Sequence, residues 1–471
     1  MSRQAEIQRA ALDRASLHEA YAEGRFSPVD LVDEIHRRIA AESDRRIWLH
    51  LAPLEEARRQ AEALRQQYAQ REKPALYGLP YGLKDNIHVA GLPTTAACSA
   101  LRDAARESAT VVRRLDAAGA IFIGKQNLDQ FATGLVGIRN PEGYCRNAFN
   151  PDYIPGGSSS GSAVAVAKGH VTFSIGSDTG GSGRVPAALN NIVGFKPTPG
   201  LVSNAGFLCN NRTFDVPPVL ALTVPDARVV LDVIAGYDPL DPFSRQPPDD
   251  RDFLAPPRFR YAVPREKQLT FFGDAHAEVR YLAALDNLRA IGGVPVEIDL
   301  APFLAANAVI FDSPFIAERA LTYRQVIESH PEAIHPAVRD AILNARRFSA
   351  EETFQCLYRL AGLRQAAHAL LRETAEVLAL PTAGTIYCCA EVEANPVELN
   401  ANLGRYTYFA NPLHLCAVSI PTGLRPDGLP FGLSLIAAPF RETMLIQLGH
   451  RLHTVIGGTL GDGKQESGNS R

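Results

Sequence analysis

The chain has 471 residues, 46% hydrophobic and 21% charged, a globular mixture with enough apolar residues for a large core. A formal net charge of −3 excludes nucleic acid as the main partner, because no basic excess is available to neutralise phosphates. The N-terminus has no apolar targeting core, and no apolar run approaches the ~18 residues of a membrane span, so a cytoplasmic protein with no membrane partner is expected.

In chain order, Ser27-Pro28 opens the first clear helix, with Ser as N-cap and Pro at the first helical position. Leu31, Val32, Ile35 and Ile39 then share one face. A second amphipathic helix is predicted over 55–70, with Ala57, Ala61, Leu64 and Tyr68 inward. LPYGLKDN (79–86) reads as a short buried strand delivering Lys84 at its end. Helix is predicted over 109–118, strand over 121–124, a small-residue helix over 161–168, strand over 171–175, and a helix beginning near Ser182. Later come helix 275–291, strand 294–298, a long helix 350–377, strands 378–380 and 429–437, and helix 442–455.

This alternation predicts an α/β fold with a largely parallel or mixed sheet. The Pro- and Asp-rich stretch 239–257 is expected to be a surface connection, and the polar tail 464–471 to be disordered. Residues 1–463 are expected to form one domain, with N-terminal helices over 1–72 and a catalytic core over 73–463. The pairs Arg37–Arg38 and Arg113–Arg114 read as solvated helix faces. Seven cysteines without CxxC or Cys/His ligand spacing predict reduced thiols and no metal site, and the adjacent Cys388–Cys389 pair reads as packing.

The most unusual stretch is 156–183, GGSSSGSAVAVAKGHVTFSIGSDTGGSG, where two Gly/Ser loops enclose a helix and a strand. Glycines let backbone N–H groups approach a ligand, and N–H groups converging at a helix start stabilise developing negative charge. Thr179, Gly180, Gly181 and Ser182 would supply such donors, with the Ser182 hydroxyl beside them as nucleophile. That hydroxyl needs a base. His170 falls at a helix end, where a solvated or capping role is expected. Lys84 sits on an apolar strand end, where burial disfavours the charged form. The pattern alone leaves two readings of Lys84 open: a base acting through Ser158, or a strand-end lysine reaching solvent or pairing with Asp85. GSSSG (157–161) formally matches GxSxG with Ser159 as nucleophile, but that elbow must follow a strand, and RNAFNPDYIP precedes it. No GxxxxGK[ST] phosphate loop occurs, and no cofactor is expected.

Three segments, GLPYGLKDNIHVAGLPTT, IPGGSSSGSAVAVAKG and GSDTGGSGRVPAALNNIVGFKPTPG, strongly resemble the amidase signature family in sequence, order and separation. The resemblance runs from about Ser27 to the final helix. It implies the amidase-signature fold, a large mixed β-sheet covered by helices on both faces. It also implies Lys84 as base, Ser158 as a bridging serine after a cis peptide bond, and Ser182 as nucleophile. Within the family, PTAGTIYCCAEVEANPVELNANLGRYTYFAN and LCAVSIPTGLRPDGLPFGLSLIA are most similar to the allophanate hydrolase branch. The implied reaction releases ammonia from a urea-derived carboxylate, with Arg319 holding the carboxylate in two parallel bonds. The residues alone also allow Arg319 to be a surface ion pair with Glu318.

Phe311 stands where that branch uses Tyr, which removes one substrate hydrogen bond. DTGGS (178–182) carries Gly181 in the manner of the wider family. Neither a further C-terminal domain nor a biotin-dependent carboxylase is expected; with Phe311 this leaves a different small amide, or a role as an ammonia-supplying amidotransferase subunit, as the alternative. Family members imply a homodimer.

Overall fold

Period-2 alternation sets the architecture. In the strand Val377–Pro381, Val377 and Ala379 enter one buried apolar cluster while Leu378 and Leu380 enter another. A strand buried on both faces reads as an unbroken apolar run, which is why LALP was legible. The computed structural model describes residues 3–42, 45–249, 253–457 and 461–463.

Among these, eleven strands form one sheet: β1 (Trp48–Leu51), β2 (Pro80–Lys84), β3 (Ile121–Gln126), β4 (Phe173–Ile175), β5 (Val193–Lys196), β6 (Val219–Ala221), β7 (Phe259–Pro264), β8 (Gly293–Ile298), β9 (Val377–Pro381), β10 (Cys416–Leu424) and β11 (Pro430–Ala437). Their order is β1-β3-β2-β4-β6-β5-β10-β11-β9-β7-β8. Pairing is parallel among β3, β2 and β4 and among β9, β7 and β8, and antiparallel elsewhere, so the sheet is mixed. Helices cover both faces. A large mixed sheet covered by helices is the architecture that the resemblance implies.

The helix Pro28–Ala41 starts where Ser27-Pro28 predicts. Ser27 Oγ accepts from the Asp30 N–H at 3.3 Å and Asp30 Oδ2 accepts from the Ser27 N–H at 2.8 Å, a reciprocal cap that contributes about 1 kcal/mol. Leu31, Val32 and Ile35 are buried, each stabilising the fold by roughly 1.5–3 kcal/mol. The second helix ends at Gln67 rather than 70, and the long helix Ala350–Thr374 ends three residues early because β9 begins at Val377.

Several expectations change. The N-terminal region is not helical throughout, since Trp48–Leu51 pairs antiparallel with β3. Arg38 is not a solvated face: it donates to buried Glu34, to the Gly169 carbonyl at 3.1 Å and to the Ile7 carbonyl at 3.0 Å. Arg114 likewise donates to the Ile234 carbonyl at 2.6 Å. Helices Ala301–Phe311 and Pro336–Leu343 were not anticipated. Residues 239–249 and 253–257 have neither helix nor strand, as expected, while 250–252 and the tail 464–471 lie outside the described residues. No helix among the described residues is long and apolar enough to cross a membrane.

Candidate active site

Tyr81 and Leu83 of β2 point into the core cluster on one face, so alternation turns Lys84 to the other face at the strand's end. Lys84 has no exposed surface. Its Nζ lies 2.6 Å from Ser158 Oγ and 2.8 Å from Ser177 Oγ. Its partners are therefore neutral hydroxyls, not a carboxylate. Asp85, the alternative partner, is taken by Lys125, whose Nζ is 2.6 Å from Asp85 Oδ1. Burial pulls Lys84 down to about 7, against the opposing fields of Asp215, Asp129 and Asp178.

The Gly157–Ser158 peptide bond is cis. Gly157 cannot carry a side chain: a Cβ there would sit 2.1 Å from Asp129 Oδ2. Asp129 in turn accepts from the N–H groups of Gly137 (3.0 Å) and Arg139 (2.8 Å), and its own N–H donates to Ser158 O at 3.1 Å. Ser158 is thus held from below by a buried carboxylate loop. The Ser159 N–H donates to Ser182 O at 3.3 Å, which brings the two Gly/Ser loops edge to edge. Ser159 Oγ is spent on the Ser177 carbonyl at 3.1 Å, and no strand precedes it, so the elbow reading is excluded.

Ser182 is 3% exposed and lies just before the short helix Arg184–Ala188. Its loop is fixed by Asp178, which accepts from the N–H groups of Gly181 (2.8 Å) and Gly183 (3.0 Å) and takes two bonds from Arg184, at 3.0 Å each. Burial alone would raise the Asp178 carboxyl, but the Arg184 charge and these bonds outweigh it and hold it below its ordinary value. Gly181 adopts φ +135°, and a Cβ there would meet Thr407 Oγ1 at 2.4 Å. One expectation is corrected here. The Gly181 N–H is committed to Asp178, so it is not a donor to substrate. The N–H groups of Thr179, Gly180 and Ser182 have no acceptor among the described residues.

A cavity of about 230 Å³ brings Ser182, Thr179 and Gly180 together with Arg319, Phe311, Arg139 and Tyr408. It is smaller than the roughly 300–1,000 Å³ typical of drug-sized ligands, which suits a small substrate. Arg319 is 5% exposed and is no surface ion pair. Its Nε donates to Asn210 Oδ1 and its Nη2 to Ile310 O, both at 3.0 Å, while Glu318 accepts from the Thr213 N–H at 2.8 Å. Burial pushes Arg319 down to about 10, with Asp215 opposing, so it stays cationic at neutral pH. Phe311 packs edge-on against Tyr408, ring centroids 3.9 Å apart.

His170 is not solvated. It is 2% exposed, stacks on Trp48 at 6.4 Å, and burial pulls it down to about 4. Cys389 is buried against the core, in line with packing. Residues that sequence reasoning missed include Ser177, Asp178, Arg184, Asn210, Asp215 and Tyr408. The Asp178–Arg184 pair left a signal, being opposite charges six apart around an otherwise uncharged loop. Tyr408 left none.

Known proteins place this geometry in a class. The Amidase family model matches residues 30–446, so the chain belongs to the amidase family and is a hydrolase of amide C–N bonds. Within it, the chain is similar to urea amidolyase of Lachancea kluyveri, 38% identical over 393 residues, which are 83% of this chain and 21% of that protein. It superposes on Kluyveromyces lactis allophanate hydrolase with a TM-score of 0.90 at 34% identity, covering 97% of this chain and 75% of that one. It is also 34% identical over 470 residues to a glutamyl-tRNA(Gln) amidotransferase subunit of Chloroflexus aurantiacus, covering 91% of this chain and 93% of that protein. The chain spans about a fifth of the length of the urea amidolyases it matches.

Proposed function

We propose that the protein releases ammonia from allophanate, a small urea-derived carboxylate, by acyl transfer through Ser182. The observation that carries this reading is a buried lysine, drawn down to about 7, whose Nζ is 2.6 Å from Ser158 Oγ. A neutral Lys84 takes the Ser158 proton while Ser158 takes the Ser182 proton, and Ser182 Oγ attacks the substrate carbonyl. The negative charge that develops on oxygen is met by the N–H groups of Thr179, Gly180 and Ser182. The same relay returns a proton to the leaving nitrogen, ammonia departs, and water hydrolyses the acyl-enzyme. No cofactor enters these steps.

Arg319 supports the choice of substrate, because a buried guanidinium lining the cavity of Ser182 favours a ligand with a carboxylate. Tyr408, whose ring meets Phe311, lines the same cavity, but its hydroxyl donates to the Asn400 carbonyl at 3.1 Å and accepts from Asn400 Nδ2 at 3.3 Å, so it does not replace the hydroxyl that Phe311 lacks. A second reading, an ammonia-supplying amidotransferase component, is favoured by the match across 93% of the Chloroflexus aurantiacus protein. We further propose a homodimer, as family members imply, and a cytoplasmic location.

An ammonia-release panel of allophanate, biuret, malonamate, glutamine and acetamide separates these readings. Allophanate should give the highest kcat/KM, and Arg319→Ala should raise KM about tenfold or more for carboxylate substrates only. Preference for glutamine supports the amidotransferase reading. Equal losses on acetamide make Arg319 structural.

A further inference from the structure

One buried carboxylate touches both halves of the site and has no part in the hydrolytic steps. Asp215 is 3% exposed and lies next to Val216, which bridges antiparallel to Asp178 at the base of the Ser182 loop. Asp215 Oδ1 accepts from the Thr179 hydroxyl. Oδ2 accepts from the N–H groups of Asn210 (2.7 Å) and Asn211 (3.2 Å). Asn210 then passes the constraint on: its Oδ1 accepts from Arg319 Nε at 3.0 Å and its Nδ2 donates to Thr133 Oγ1 at 2.7 Å. Thr179, Asn210, Thr133 and Arg319 all line the cavity that holds Ser182.

We propose that Asp215 is a positioning residue that holds the Ser182 loop, through Thr179, and the Arg319 guanidinium, through Asn210, at a fixed spacing across the substrate cavity. This rests on the reading of Ser182 as nucleophile and Arg319 as carboxylate clamp. A shared acceptor is suited to the task, since bonds to a buried carboxylate are shorter and stronger than neutral ones. Two loops tied to the two oxygens of one group cannot shift independently.

Asp215 also sets charge. It is the largest of the carboxylate fields favouring the ammonium form of Lys84 and the cationic form of Arg319. Burial pushes its own carboxyl up to about 6, against the bonds from Thr179, Asn211 and Asn210. The other titratable groups that feel it are Glu318 and Tyr323 on the helix Ala317–Ser329, and Cys209 on its own segment.

Two variants test this. Asp215→Ala removes both anchors and should lower kcat and raise KM for allophanate, each by about tenfold. Asp215→Asn can turn its amide toward Thr179 Oγ1 and keep its oxygen on the Asn210 N–H, so it should recover most of both. It removes the charge, however, and should move the acid limb of the kcat/KM profile down by roughly half a pH unit, because Lys84 then loses its proton more readily. Asp215→Ala that alters only the melting temperature, or Asp215→Asn that loses kcat and KM as far as Asp215→Ala, overturns the proposal. If Asp215→Ala does not fold, Thr179→Val, which removes only the tie to Asp215 Oδ1, decides: lowered kcat supports the proposal and unchanged kcat overturns it. Turnover by Ser182→Ala would instead overturn the underlying reading, and the two failures are read from different variants.

Discussion

β2 and β3 lie side by side, and each carries near its end a lysine with no exposed surface, the two on opposite faces of the sheet; Leu83 pairs with Lys125 and Lys84 with Gln126. Lys125 meets a carboxylate, Asp85, at 2.6 Å, together with the Pro93 carbonyl and Thr94 Oγ1. Among the described residues, Lys84 meets only the hydroxyls of Ser158 and Ser177 and, at 3.4 Å, the Ser177 carbonyl. Burial lowers both, but in Lys125 the adjacent Asp85 opposes it directly, while Lys84 is drawn to about 7. The same residue type in the same sheet becomes an ion-pair strut at one strand end and a candidate base at the next. The immediate partners make the difference.

The comparison breaks most sharply by substitution. Lys84→Met should lower ammonia release by roughly a thousandfold or more while the protein melts no lower than the parent, because a buried amine with no carboxylate partner is replaced by an apolar chain of similar length. Ammonia assays and thermal melts on the same sample check both halves. Lys125→Met should do the reverse to stability. It strands Asp85 as an uncompensated buried charge, at a cost of about 3–5 kcal/mol, measurable in urea unfolding.

The pH profile sharpens the contrast with a smaller effect. If Lys84 must be neutral, kcat/KM rises as pH rises through about 7 and falls about tenfold for each unit below it. The sign for stability follows: Lys84 has a folded pKa below its ordinary value, so the unfolded chain binds the extra proton. Stability then increases with pH between about 7 and the ordinary lysine range. Unfolding free energies of the parent and Lys84→Met should therefore diverge across that window, the parent gaining on the variant as pH rises.

Half of this contrast was legible in the sequence. The apolar run before Lys84 placed it on a buried strand end, the Gly/Ser loops marked Ser182 as a candidate, and the family resemblance singled out Ser158 among the neighbouring serines. What the sequence pattern left open was whether Asp85 pairs with Lys84, because Lys125 is distant in the chain and arrives only through parallel pairing. Long-range partners account for some of the other misses. Arg184 is fixed by Thr407 O and Asn411 Oδ1 from beyond residue 400, whereas Gly181 is a local miss, its N–H taken by Asp178 three residues earlier. The helix Ala301–Phe311 is almost wholly apolar, so no 3.6-residue polar face announced it. His170 sits past the end of its helix as expected, but Trp48 from β1 covers it.

The central claim is that Ser182 is the nucleophile served by the Lys84–Ser158 pair. Its most direct test is steady-state ammonia release from allophanate by Ser182→Ala, with circular dichroism and thermal melting to establish that the variant is folded. The expected result is a loss of at least about a thousandfold in kcat with an unchanged melt. Turnover within about tenfold of the parent by a folded Ser182→Ala would contradict it.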